Sequence, residues 1–152
     1  MTPEEQEIYD SMRAAAHSFH TASVLLQDGT NILAKEVLKR GIDIRSSFIS
    51  SALLYALSAE ISLKTLAKRE CVRIERLHDL KSLFNILPTE IRNRIQQDIE
   101  GYDECFDTLL EANKSTFVEW RYFYEKDNLS VNLDFLRKFS SAVNNECNKV
   151  EF

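Results

Sequence analysis

Turn-forming residues are scarce in this chain, which has 3 glycines and 2 prolines among 152 residues. An all-β fold of this length would need many more turns, so the shortage excludes that class and favours helices. Cysteine is equally sparse. Cys71, Cys105 and Cys147 are too far apart for metal-ligand spacing and too few for a disulfide framework, which predicts a reducing, cytoplasmic setting. A Gly-rich phosphate loop, a Ser/His/Asp arrangement and catalytically paired acids are all missing, so no cofactor and no metal is expected. The longest apolar stretch, residues 44–69, is interrupted by Ser, Glu and Lys, which argues against a membrane span. The opening residues are acidic where a signal peptide would be basic. A net charge of −5 and a pI near 5.3 give no global attraction to nucleic acid. Any such contact needs a local basic patch.

What is present in quantity is helix-forming sequence, and residues 44–69 are its longest piece. The run lacks Gly and Pro, is rich in Ala, Leu, Ile and Ser, and as a helix would span about 40 Å. Ile49, Leu53, Ala56, Leu57, Leu63 and Leu66 give it an apolar girdle, the mark of a helix buried among others. Glu60 lies on the stripe of Leu53, Ala56 and Leu57, so its carboxylate should point inward and needs a partner. Arg121 is the expected partner, in a buried ion pair that fixes helix register. Loss of one member would cost on the order of 3–5 kcal/mol.

The remaining helices follow from caps and periodicity. Thr2-Pro3-Glu4-Glu5 starts a helix to about Gln27, which Asp28-Gly29 should end, and residues 31–40 form a shorter one stopped at Gly41. Residues 70–76 read as a connector. His78-Asp79 opens a short helix carrying Leu80, Leu83 and Phe84, and Pro88-Thr89-Glu90 opens another, with Ile91, Ile95 and Ile99 at helical spacing. A long helix is expected from Tyr102 to about Lys126, and a last one from Leu133 to Lys149. The whole chain, residues 1–152, is expected to be one all-α domain, an antiparallel helical bundle with a four-helix core and additional short helices.

Three motifs occur in order: Glu60-x-x-x-Lys64 on the long helix, His78-Asp79-Leu80-x-x-Leu83, and Arg121-Tyr122-x-Tyr124-Glu125. Together they resemble the HEPN superfamily of helical-bundle domains, over roughly residues 45–128. That resemblance implies a homodimer whose cleft binds RNA or a nucleotide, often as a metal-independent ribonuclease of prokaryotic defence or toxin–antitoxin systems. The family pattern has an Arg followed after a few residues by a His. Here Lys126, Asp127 and Asn128 stand where that His would fall, and His78 is the nearest substitute.

Metal-free RNA cleavage needs a base, an acid and a cation for the phosphorane. Imidazole titrates near neutrality and guanidinium binds phosphate through two N–H groups, so His78 and Arg121 are the candidate catalytic residues. The competing reading makes His78 and Asp79 a simple helix cap. Tyr122, Lys64, Lys68 and Asp79 are the candidate substrate contacts. Tyr122 projects away from the core face of Phe117, Trp120 and Tyr124, where it could stack on a base or on a second subunit. Lys64, Lys68, Arg69, Arg73 and Arg76 form the densest basic run, although a helix C-terminus favours cations anyway. Arg92 and Arg94 read as solvated surface, and His17 and His20 as helix surface or a dimer contact rather than a metal pair. Two rival functions follow: an RNA- or nucleotide-binding protein with possible endoribonuclease activity, and a non-catalytic module that pairs with a partner protein. A nucleotide-binding helper to a nucleotidyltransferase is a third.

Overall fold

A computed structural model of the chain describes residues 2–40, 45–122, 125 and 130–149, with the backbone alone for residues 29–40 and 45–47. These residues form an all-α helical bundle with elements α1 (Pro3–Arg40), α2 (Arg45–Arg69), α3 (Leu80–Asn85), α4 (Thr89–Gln97), α5 (Phe106–Asn113), α6 (Thr116–Trp120) and α7 (Leu133–Asn148). Among the described residues, no helix is long and apolar enough to cross a membrane.

α1 starts on a reciprocal cap: the Thr2 N–H donates to Glu5 Oε2 at 2.7 Å, and the Glu5 N–H to Thr2 Oγ1 at 3.2 Å. It then continues through Asp28-Gly29 as a single helix, where the sequence suggests a stop. A glycine within a helix costs only about 1 kcal/mol, and packing along α2 outweighs it.

α2 is the element on which the others pack. Its small residues Ala52, Ala56 and Ala59 are fully buried beside Ser58 and Ser62, so neighbouring backbones come close. Ser58 Oγ donates to the Ala16 carbonyl at 2.7 Å, and Ser23 Oγ to the Ser51 carbonyl at 2.8 Å. These pairs run in opposite directions, which makes α1 and α2 antiparallel. α7 is antiparallel to α1 as well, through Tyr9–Cys147, His17–Asn144 and His20–Ser140. Between α3, α5 and α7 lies an aromatic cluster of Phe84, Phe106, Phe135 and Phe139, in which Phe135 and Phe139 stack at 5.9 Å. Burying each such ring contributes about 1.5–3 kcal/mol.

The long helix expected from Tyr102 onward is broken at Lys114-Ser115 into α5 and α6. Two polar side chains hold the break open. The Asn113 amide donates to the Leu109 carbonyl and accepts from the Asn132 N–H, while Thr116 Oγ1 donates to the Asn113 carbonyl. The Lys114 carbonyl is turned out to accept from the Leu80 N–H at 2.9 Å. The far end of the expected helix, at Lys126, lies outside the described residues.

Candidate functional site

α2 ends in a Schellman turn. The Val72 N–H reaches the Ala67 carbonyl at 2.8 Å and the Cys71 N–H the Lys68 carbonyl at 3.1 Å, with Cys71 at a left-handed φ of 53°. The chain returns along the bundle, and Asp79 caps α3 by accepting from the Ser82 N–H at 2.7 Å. The cap at Asp79 and the Leu80–Lys114 bond fix the backbone that carries His78. Asp79 is therefore spent on the cap.

His78 meets Glu60 there. Glu60 Oε1 accepts from Lys64 Nζ at 2.7 Å and lies 3.0 Å from His78 Nδ1, with Lys64 Nζ 3.4 Å from the same ring nitrogen. A lone pair on Nδ1 would face the carboxylate lone pairs at 3.0 Å, a closer contact than the 3.4 Å to Lys64, so the shorter contact favours the proton on Nδ1. In the neutral ring Nε2 then carries the free lone pair. The exposures are graded from inside outward: Glu60 8 %, Lys64 23 % and His78 63 % by side chain. A buried carboxylate thus orients an imidazole whose other nitrogen is open to solvent. Among the described residues Glu60 Oε2, like Glu146 Oε2, is buried and without a hydrogen-bond partner.

Arg121 is elsewhere. The expected Glu60–Arg121 ion pair does not form, and no contact joins Arg121 to His78, among the described residues. Arg121 follows the last residue of α6, and its guanidinium carbon lies 4.8 Å from the Phe117 ring centroid and 5.7 Å from that of the exposed Tyr122. Trp120 beside it packs on Phe48, with ring centroids 6.0 Å apart. Phe48 and Glu60 are twelve residues apart on α2, about 18 Å along the axis, so α6 ends toward the opposite part of that helix. Trp120 is buried and Phe117 half-buried, while Tyr124 lies outside the described residues.

Sequence reasoning missed a second acid. Glu146 of α7 is 1 % exposed and takes two hydrogen bonds on Oε1 from Arg94 of α4, at 2.9 and 2.7 Å. Lys149 Nζ lies 2.9 Å from Oε2, and Arg69 Nη1 donates to the Glu146 carbonyl at 3.2 Å. Burial pushes the Glu146 carboxyl up, but Arg94 and Lys149 outweigh it and leave it below the ordinary range. Arg94 is thus an ion-pair partner rather than solvated surface. The signal was present: Glu146 follows Phe139 and Val143 at helical spacing, the same inward logic applied to Glu60.

His17, which is exposed, and the half-buried His20 both reach toward α7. His17 Nδ1 is 3.3 Å from Asn144 Oδ1, and His20 Nδ1 is 3.0 Å from Ser140 Oγ. Burial, then the charges of His17 and Arg137, hold the His20 imidazole below its ordinary value. Lys68 lines a cleft at the end of α2 with Arg69, Cys71 and Arg73. Among the described residues no group of three His, Cys, Asp or Glu could hold a metal ion. Compared with family models, curated proteins and solved structures, the chain has no match.

Proposed function

We propose that the chain is a HEPN-like protein with a four-helix core, acting in the cytoplasm as a homodimer that binds RNA and cleaves it through His78. The observation that carries the reading is the Glu60–His78 contact of 3.0 Å with the imidazole 63 % exposed. In this reading His78 Nε2 takes the proton of a ribose 2′-OH as the 2′-oxygen attacks phosphorus and the P–O5′ bond breaks, with the leaving 5′-oxygen taking its proton from water. Glu60 holds the ring and compensates its charge, and Lys64 replaces Arg121 as the cation nearest the phosphate. Arg121 and Tyr122 form a separate cation–aromatic surface suited to stacking an unpaired base. His78→Ala should lower cleavage of single-stranded RNA by at least about 100-fold, the low end of general-base effects, with little change in melting temperature. Unchanged cleavage by the variant would remove His78 from the mechanism.

A second reading, a non-catalytic module that pairs with another protein, draws on a different observation. Phe48, Val118 and Tyr122 are 38 %, 38 % and 46 % exposed where α6 meets the start of α2. This reading expects no RNA retention at physiological salt and loss of pairing in Tyr122→Ser. Steeply salt-dependent RNA affinity would count against it.

A further inference from the structure

Beyond the turn of α2 that bears Lys64, a cleft of about 420 Å³ is lined by Glu5, Lys68, Arg69, Cys71, Val72 and Arg73. Lys68 follows Lys64 at i+4 on one face of the helix, about 6 Å along the axis, a step comparable to that between neighbouring phosphates on a strand. Lys68 makes no hydrogen bond or ion pair among the described residues, and its one charged neighbour across the cleft is the Glu5 carboxylate. Arg73 is 88 % exposed and only loosely paired with Glu75 at 3.6 Å. Arg69 is held from behind by Glu70 at 2.9 Å and by the Glu146 carbonyl at 3.2 Å, and lends a fixed charge to the wall. Two features oppose an anion and are tempered rather than removed, since Glu5 stays ionised and also feels the charge of Lys68. Glu5, on the opposite wall, directs its carboxylate to the Thr2 N–H. The α2 carbonyls of Ala67 and Lys68 are covered by the Schellman bonds.

We propose that this cleft is a second phosphate subsite, holding the backbone of a single-stranded RNA one step beyond the phosphate at His78, with Lys68 and Arg73 as its ligands. The inference rests on the RNA-binding reading and extends it: the polynucleotide runs along α2 toward its C-terminal end. It also places the exposed thiol of Cys71 beneath the bound strand, while the other exposed thiol, Cys105, lies outside the cleft before α5.

The two cysteines supply the experiment. The full chain is treated with iodoacetamide with and without a short 2′-O-methyl RNA, which cannot be cleaved by 2′-OH attack, and binding is followed in parallel by fluorescence anisotropy. Bound RNA should slow alkylation of Cys71 about fivefold or more and leave Cys105 unchanged. In Lys68→Gln/Arg73→Gln the protection should vanish, and the slope of log affinity against log salt should fall by about 0.7, as for one lost single-strand phosphate. Binding with Cys71 alkylated at its free rate, or an unchanged salt slope in the double variant, would overturn the subsite while leaving RNA binding in place. Absence of RNA binding in the wild-type chain would overturn the RNA-binding reading and the subsite with it.

Discussion

Glu60 and Glu146 are both buried acids on central helices, and both are met by cations, but their surroundings differ. Glu146 is walled in: Arg94 and Lys149 approach its two oxygens, and Arg69 stands behind at 3.6 Å. Its partners come from α2, α4 and the end of α7, so the cluster ties separate elements together. Glu60 has a local lysine one turn away and an imidazole mostly in solvent, and both contacts fall on one oxygen. Among the described residues neither cluster satisfies every buried polar atom, since Glu60 Oε2, Glu146 Oε2 and Arg69 Nη2 make no hydrogen bond, but removing the acid of a buried pair leaves an uncompensated charge. A site that moves protons needs one face open. The two sites differ in one partner above all: Glu60, 8 % exposed, holds an imidazole 63 % in solvent, whereas among the described residues Glu146, 1 % exposed, is met only by permanent cations from three elements.

The comparison breaks most visibly at Glu146. Glu146→Ala strands Arg69 and Arg94 and should destabilise the fold by about 3 kcal/mol, read as a shift in urea midpoint. RNA cleavage below the melting transition should be retained. The intact cluster also has a pH signature. The folded carboxyl lies below its ordinary 4.5, so its stabilisation is present above that value and lost as acid carries the pH down through the lowered one.

Glu60→Gln sharpens the contrast from the other side. It keeps the shape, removes the charge, and leaves two partners that water can reach. Stability should change by less than about 1 kcal/mol, while cleavage falls roughly 10–100-fold because the imidazole loses its orienting charge. A stability loss as large as that of Glu146→Ala would erase the distinction.

Smaller effects test the frame around the two acids. Cys71 adopts a left-handed φ that costs an ordinary residue about 1–2 kcal/mol, so Cys71→Gly should raise stability by up to about 1 kcal/mol after glycine's own entropy cost. The smallest effect is at His20. Its folded value lies below the ordinary 6.5, so stability present above that pH declines as the pH drops past it, and His20→Gln should flatten the decline in denaturation midpoints.

Much of the fold was legible in the sequence because helical periodicity and caps are local. Asp79 as a cap, the connector at 70–76 and the start of the last helix at Leu133 follow from residues within one turn of each boundary. What was not legible depended on distant partners. Gly29 looks like a stop until α2 packs alongside it, and the break at Lys114 requires Asn132 and Leu80. The inward direction of Glu60 was readable from its stripe. Its partner was not, since Lys64 lay in plain view one turn away while Arg121 only appeared complementary in charge. For the candidate site, chemistry-bearing residue types could be named, but which of them converge depends on how the return from α2 to α3 lays His78 against the helix.

The account stands on the proton position in the Glu60–His78 contact. Nitrogen NMR of the His78 imidazole at mildly alkaline pH reads it directly. The expected result is a proton on Nδ1 and a bare Nε2, with that preference lost in Glu60→Ala. A neutral His78 protonated on Nε2 in the wild-type chain would contradict the account.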